Sequence, residues 1–315
     1  MDPISHLVIG AGLAALSGEP FSWTNPIFLG SALGAVAPDL DIVLQLKGDM
    51  VYLKHHRGFS HSLPGLILTS GLISGLLSLI YPDWSLVTLF IWTLLGALSH
   101  TFFDICNSYG AQLLGPWNSK KFTLNLVQIF DPVLLAFFAA MIWAARDGRL
   151  NQGYLGLALL GYLGFRWLMK EILRKRVLKF HNGEKVSQLI LLPSVVGIFS
   201  WDYLLETGSG NVLGQVHLFK AGVTVTKQLA KEEPNEAIRA ALKSAIGSIF
   251  QDFTPHFHVS YYTEGTKHIV RFFDLRYQLK KEFMHSATVI LDHQQELIDA
   301  IFHPYNAKRN IRITS

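Results

Sequence analysis

Long apolar runs separated by short polar breaks occupy the first half of the chain. Residues 27–46, 63–81 and 86–105 are near the roughly 20 residues a helix needs to cross a bilayer, and 126–145 and 151–169 continue the series. A shorter Gly/Ala-rich run, 4–17, follows the helix-start residues Asp2, Pro3 and Ser5 and is tilted, partial or interfacial. Pro38-Asp39-Leu40-Asp41 interrupts the second run, and Pro82-Asp83-Trp84-Ser85 forms a tight turn between the next two. Beyond about residue 178 the pattern changes. Stretches 188–196, 198–205, 212–219, 257–263, 269–278 and 286–291 read as strands. Pro234 opens an amphipathic helix in which Ile238, Leu242, Ala245, Ile246 and Ile249 recur at helical spacing. The expected fold is a mainly α membrane helical bundle of five or six apolar helices over residues 1–170. A small soluble α+β domain, mostly antiparallel sheet, follows over 178–315.

Composition sharpens this division. Of 315 residues half are apolar and 16% charged, values that suit a membrane part joined to a soluble part. A formal charge of +4 is too small to argue for direct nucleic-acid binding, and the basic residues cluster beside an apolar run, which favours the membrane surface. Cys106 is the single cysteine, so no intrachain disulfide forms. The N-terminus lacks a basic n-region and carries Asp2, which argues against a cleaved signal peptide.

The positive-inside rule orients the chain as a multi-pass protein of the inner (cell) membrane. Lys170, Arg174, Lys175, Arg176, Lys179 and Lys185 outnumber Glu171 and Glu184, which makes the tail and its domain cytoplasmic. Counting back over six segments places the N-terminus and loops 47–62 and 106–125 on that same face. Lys47, Lys54, Arg57, Lys120 and Lys121 agree, whereas Arg146 and Arg149 oppose, partly offset by Asp147. The consequence is chemical. His6, Asp39, Asp41, His55, His56, His61, His100 and Asp104 all reach one membrane face, the cytoplasmic one.

Imidazole is the commonest metal ligand, and the stretch Lys-His-His-Arg-Gly-Phe-Ser-His-Ser over 54–62 holds His55, His56 and His61. His56 and His61 are the expected ligands, with His55 alternate or outlying. His100 and Asp104 are four apart and adjacent on one helix face. They suit two ligands on one ion, a ligand His steadied by a carboxylate, or a polar anchor at a helix end. Asp39 and Asp41 flank Leu40 after a helix-loosening proline. Alone they read as turn chemistry; beside the histidines the metal reading overtakes it. Arg57 suits a phosphate or carboxylate through its planar fork, or snorkels to a headgroup. Asn107, Ser108, Tyr109, Gly110, Trp117 and Asp131 line a pocket mouth or mark an interface. His256 and His258 share a strand face without carboxylates and read as ordinary polarity. There is no Gly-rich loop ending in Lys-Ser or Lys-Thr and no Gly-x-Ser-x-Gly elbow around Ser60, so neither nucleotide binding by that route nor a serine hydrolase is expected.

The set His6, Pro38-Asp39-Leu40-Asp41, His56-Arg57-Gly58-Phe59-Ser60-His61-Ser62, His100-x-x-x-Asp104, Asn107-Ser108-Tyr109-Gly110 and Trp117 resembles the YdjM-like family. That family is described as LexA-binding, inner-membrane-associated metal-dependent hydrolases. The order of His, Pro-Asp, His and His-x-x-x-Asp is also similar, more weakly, to zinc-dependent phospholipase C. The resemblance covers about residues 1–170 and brings His6 into the ligand set; it implies a reaction class and no substrate. The resulting expectation is a metal-dependent hydrolase acting on a phosphoester of membrane lipid. One or two divalent ions, zinc by ligand type, sit among His6, Asp39, His56, His61, His100 and Asp104. Asp41 or His55 orients or deprotonates the attacking water, and Arg57 holds the anionic substrate. Two rivals stand beside it. A metal or ion transporter spreads its ligands through the bilayer depth. A membrane-anchored regulator binds a protein partner through its C-terminal domain and keeps a closed, structural metal site.

Overall fold

The computed structural model describes every residue except 49–50, 53–55, 148–151, 196, 277, 280–281, 305–309 and 313–315. The chain folds as two units: Met1–Leu44 with His55–Leu173 and Pro193–Ser200, and Gln45–Lys54 with Arg174–Leu192 and Trp201–Ser315.

In the first unit the helix ends are written locally. Helix α1 (Pro3–Ala14) starts at Asp2, whose side chain accepts from the Ser5 amide, and α2 (Pro26–Val36) starts at Asn25, which accepts from Ile27. Both place proline in the first turn, where its missing N–H costs nothing. Past α2 the chain tightens into a 3-10 helix, Ala37–Lys47, and a second short 3-10 turn, Phe59–His61, precedes α3 (Leu63–Ile80), capped by Ser62. Helices α4 (Leu86–Cys106), α5 (Pro132–Asp147) and α6 (Gln152–Phe180) complete the series. Of the five or six spanning segments expected, three are long and apolar enough to cross a membrane among the described residues: Pro26–Lys47, Leu63–Ile80 and Leu86–Cys106. The run Pro3–Ser17 is shorter, and α5 has only 16 residues.

Small residues bring these helices together. A Cβ on Gly34 of α2 would lie 2.1 Å from the Thr93 carbonyl oxygen, and one on Gly96 of α4 would lie 2.0 Å from that of Ser31. The two backbones therefore touch directly, as small-residue interfaces in membranes allow. Ser31 Oγ also donates to the Gly10 carbonyl at 2.7 Å, tying α1 to the pair. Ile9, Phe28, Phe103, Val127, Leu134, Phe138 and Met141 fill the core around them.

The second unit is rich in sheet. Strands β1 (Val186–Pro193), β2 (Ser200–Thr207), β3 (Gly210–His217) and β4 (Val223–Ala230) form a four-stranded sheet in sequence order. Strands β5 (Phe257–Glu264), β6 (Lys267–Asp274), β9 (Ser286–Leu291), β10 (Leu297–His303) and β11 (Ile311–Arg312) form a five-stranded antiparallel sheet in the order β11-β10-β9-β6-β5, and β7 (Gln278–Leu279) pairs with β8 (Glu282–Phe283). Helices α7 (Glu236–Lys243) and α8 (Ala245–Phe253) bury Ile238, Ala241, Ile246 and Phe250 against Val270, Phe272, Val289 and Phe302. The single helix expected after Pro234 is thus two. Ser244 leaves helical geometry and its hydroxyl caps α8 through the Gly247 amide at 3.2 Å. The strand expected over 269–278 ends at Asp274, where Arg276 turns back onto it. Strands β4, β8, β10 and β11 add to those expected, although the alternation Val-Thr-Val-Thr over 223–226 signals the first of them.

Candidate metal centre

Four separate pieces of the first unit deliver the polar residues. His6 comes from α1, Asp39 and Asp41 from the 3-10 helix after α2, His61 from the short turn before α3, and His100 and Asp104 from the C-terminal half of α4. The His61 turn is pinned by its backbone, since Thr101 Oγ1 donates to the His61 carbonyl at 3.1 Å. The segment after α4 is held as firmly. Leu124 and Leu126 amides donate to the Ile105 and Cys106 carbonyls at 2.7 Å each. One stripe of α6 grips the same segment: Arg166 Nε donates to Leu126 at 2.8 Å and Lys170 to Leu124 at 2.6 Å, while the Tyr162 hydroxyl donates to Asp131 at 2.8 Å.

His61 Nε2 and His100 Nε2 lie 3.0 Å apart. Asp104 Oδ2 is 3.5 Å from the first and 3.7 Å from the second, and Asp39 Oδ1 is 3.7 and 3.5 Å from the same pair. Two sets, His61/His100/Asp104 and His6/Asp39/His100, each hold ligand atoms within 4.8 Å of one another. Two nitrogens on a tetrahedral zinc sit about 3.3 Å apart for bonds of 2.0–2.1 Å, so the spacing fits an ion. His6, His61, His100 and Asp104 are fully buried, while the Asp39 side chain keeps 14% of its surface. Both ring nitrogens of His6, and Asp104 Oδ2, are buried without a well-formed hydrogen bond. His6 Nε2 stands 3.4 Å from Asp104 Oδ1 and Asp104 Oδ2 3.3 Å from Arg57 Nε, which leaves His6 Nδ1 with neither. Such orphaned atoms are costly unless something else satisfies them, and a cation would. The His6 and His100 rings stack, with centroids 3.6 Å apart. His100 Nδ1 meets the Ala35 carbonyl at 2.7 Å. A carbonyl only accepts, so Nδ1 carries the hydrogen and Nε2 presents its lone pair. The two sets share that single nitrogen, so His100 serves one ion at a time.

Charge favours the same occupant. Three carboxylates, Asp39, Asp41 and Asp104, face one permanent cation, the Arg57 guanidinium (Nε to Asp104 Oδ2, 3.3 Å), and the Met1 nitrogen meets Asp104 Oδ1. Arg57 is itself buried, donates to the Gly110 carbonyl at 3.4 Å and lies over the Tyr109 ring. Its φ of 63° is left-handed, a conformation non-glycine residues hold only where the surroundings impose it. Its amide bonds Asp41 Oδ2 at 3.1 Å and its carbonyl accepts from Gln112 at 3.1 Å.

Of the ligands expected from the sequence, the structure brings His6, Asp39, His61, His100 and Asp104 together and sets His56 aside. His56 Nδ1 bonds Asp41 Oδ1 at 2.9 Å, outside both convergent sets. Burial pulls His56 below the ordinary imidazole value, against the opposing pull of Asp41. Asp41 also receives the Ser60 hydroxyl at 3.0 Å. His55, expected to act in catalysis, lies outside the described residues. Asn107 is buried one turn beyond Asp104, to which its side chain donates at 2.9 Å; the i,i+3 spacing is a readable signal for that contact. Trp117 is exposed. The local motif around Ser60 raises only the question of a nucleophile, and nothing in it shows that Ser60 touches both Asp41 and His61. His256 lies 3.7 Å from Glu206, and among the described residues neither it nor His258 belongs to a convergent set.

These features define a helical membrane protein with a buried His/Asp centre, followed by a sheet-rich domain. The chain belongs to the YdjM inner membrane protein family, whose model matches residues 1–173. A second model, the YfhP C-terminal alpha/beta plait domain, matches residues 236–311. Among curated proteins the chain is similar to the uncharacterized protein YfhP of Bacillus subtilis (strain 168), 29% identical over 303 residues, covering 93% of this chain and 92% of that one. No solved structure matches it.

Proposed function

We propose that the protein is a multi-pass enzyme of the cell membrane that hydrolyses a phosphoester, of lipid origin, with a divalent metal held at the helix ends. The observation that carries this reading is the convergence of His61, His100, Asp39 and Asp104, with the buried His6 ring beside them lacking any well-formed hydrogen bond. Zinc fits a set of imidazole nitrogens and carboxylate oxygens. When bound, such an ion activates water and polarises a phosphoryl oxygen. The chain's own groups supply the rest. Arg57 keeps positive charge beside Asp104, where an anionic phosphoester would arrive. His56, whose ring is held by Asp41 at 2.9 Å, would take up the proton that hydrolysis releases. Asp39, the ligand with exposed surface, marks the way in. Exposed Leu40, Phe59 and Trp117 support a headgroup-level position, where apolar side chains enter lipid and the scissile bond stays polar. The basic residues after Met169 support a cytoplasmic site and tail.

A second reading is a structural metal in a membrane-anchored binding protein, favoured by the full burial of His61, His100 and Asp104. The C-terminal domain would then bind a protein partner. One experiment separates the two: metal analysis of the purified protein, then bis-nitrophenyl phosphate and short-chain phospholipid turnover before and after chelation. Turnover lost on chelation and restored by zinc supports the enzyme. Stoichiometric metal with no turnover of either substrate supports the structural role, and absence of metal overturns both.

A further inference from the structure

Ser60 lies between Asp41 and His61, and its single hydroxyl hydrogen decides the state of the ring. Ser60 Oγ is 3.0 Å from Asp41 Oδ2 and 2.9 Å from His61 Nδ1. Asp41 also accepts the Arg57 amide at 3.1 Å and meets His56 Nδ1 at 2.9 Å. A carboxylate so surrounded by donors is an acceptor only. The Ser60 hydrogen therefore goes to Asp41, and the Ser60 oxygen can then only accept from His61. That leaves the hydrogen on His61 Nδ1 and the lone pair on Nε2. His100 reaches the same state through the Ala35 carbonyl. Two lone pairs then face each other across 3.0 Å, an arrangement that repels until a cation sits against both.

We infer that Ser60 and Asp41 are positioning residues: a carboxylate–hydroxyl–imidazole relay that locks His61 in its metal-ligating tautomer and orients its ring. The inference deepens the metal reading above and rests on it for its consequence, but the tautomer stands on hydrogen-bond chemistry alone. Ser60 touches no ligand atom of the centre. Its effect passes entirely through His61. Partners of ligating histidines typically change metal affinity by about 10–100-fold when removed.

The test uses the full-length protein in detergent micelles. Nitrogen-15 histidine labelling, with His61→Asn assigning the His61 signals, reads the ring tautomer in metal-free protein; Zn²⁺ titration against a chromophoric chelator reads affinity. Wild-type protein is expected to carry the His61 hydrogen on Nδ1. Ser60→Ala should mix the two tautomers and weaken Zn²⁺ by about 10–100-fold, and Ser60→Thr, which restores the hydroxyl, should recover affinity to within about threefold. A folding defect would not be rescued in that pattern, and the helical circular dichroism of Ser60→Ala should match wild type. A wild-type His61 protonated at Nε2, or a Ser60→Ala protein with unchanged tautomer and affinity, overturns the relay. If wild type binds no Zn²⁺ yet shows the Nδ1–H tautomer lost in Ser60→Ala, the relay stands and the metal reading falls.

Discussion

His61 and His100, thirty-nine residues apart, face each other Nε2 to Nε2 at 3.0 Å inside the first unit, with no exposed surface on either ring. Neither nitrogen can satisfy the other once both Nδ1 atoms are committed, to Ser60 and to Ala35. Asp39 and Asp104 stand within 3.7 Å of the pair. These groups could hold a metal ion, as proposed above.

Removing that ion should loosen the helical unit. A ligand that binds only the folded state stabilises by about 2.7 kcal/mol at a hundred times its Kd, so chelation is expected to lower the thermal midpoint of purified protein and zinc to restore it. His100→Ala should abolish that response and also lower the chelated midpoint, because it empties a fully buried site and frees the Ala35 carbonyl. Asp104→Asn should do more, because it also strips Arg57 of its buried partner, a loss of about 3–5 kcal/mol. Differential scanning with and without chelator reads both.

Glycine positions give a contrast within one fold. Gly96→Ala would push its Cβ onto the Ser31 carbonyl oxygen, and overpacking a tight contact costs about 1–3 kcal/mol or more. Gly71, on α3, has open space where a Cβ would stand, with no atom within 4 Å. Gly71→Ala should therefore be neutral or stabilise by up to about 1 kcal/mol through helix propensity. Zinc affinity should fall with Gly96→Ala, since α2 and α4 position Asp39 and His100, and stay unchanged with Gly71→Ala. Equal effects of the two would refute backbone contact between α2 and α4.

In the second unit, burial pushes His285 down to about 4, with Asp274 opposing and Arg276 assisting. An unfolded histidine titrates near 6.5. The unfolded chain therefore binds the proton first as pH falls, and stability is lost between about pH 6.5 and 4. The full loss is about 3 kcal/mol below that window and none above it. His285→Gln should flatten this part of the profile, measured as denaturant midpoints at pH 7, 5.5 and 4.5.

Asp274 and Arg276 form a bidentate ion pair in the same unit, with guanidinium nitrogens 2.9 Å from each carboxylate oxygen and both side chains buried. Burial works against ionising Asp274, yet Arg276 holds its carboxyl below the usual carboxylate range. Asp274→Asn leaves a buried guanidinium uncompensated and should cost about 3–5 kcal/mol. Replacing both residues with apolar ones of similar size should cost less than Asp274→Asn alone, a difference that a denaturation series of the three variants would measure.

Much of this protein is written in residue type and spacing. Proline and Asp or Asn at the helix starts, the apolar runs, and the i,i+4 pair His100/Asp104 need only local rules, because caps and periodicity act within a few residues. Asp39, His61, His100 and Asp104 can be named from the chain for the same reason, since apolar helices have little use for buried imidazoles and carboxylates. His6 enters only through the family resemblance, and His56 is named with them although it lies outside the convergent sets. The partners of these residues cannot be named so. That His56 turns to Asp41, that Arg57 spends its charge on Asp104, and that Ser60 reaches two groups at once depends on where α1, α2 and α4 meet. The same holds for Ser244, which ends one helix and begins another so that Ile238 and Phe250 both pack against the sheet. A hydrogen bond is decided over tenths of an ångström, and distances that fine between residues 15 to 65 apart in sequence exist only after backbones have packed.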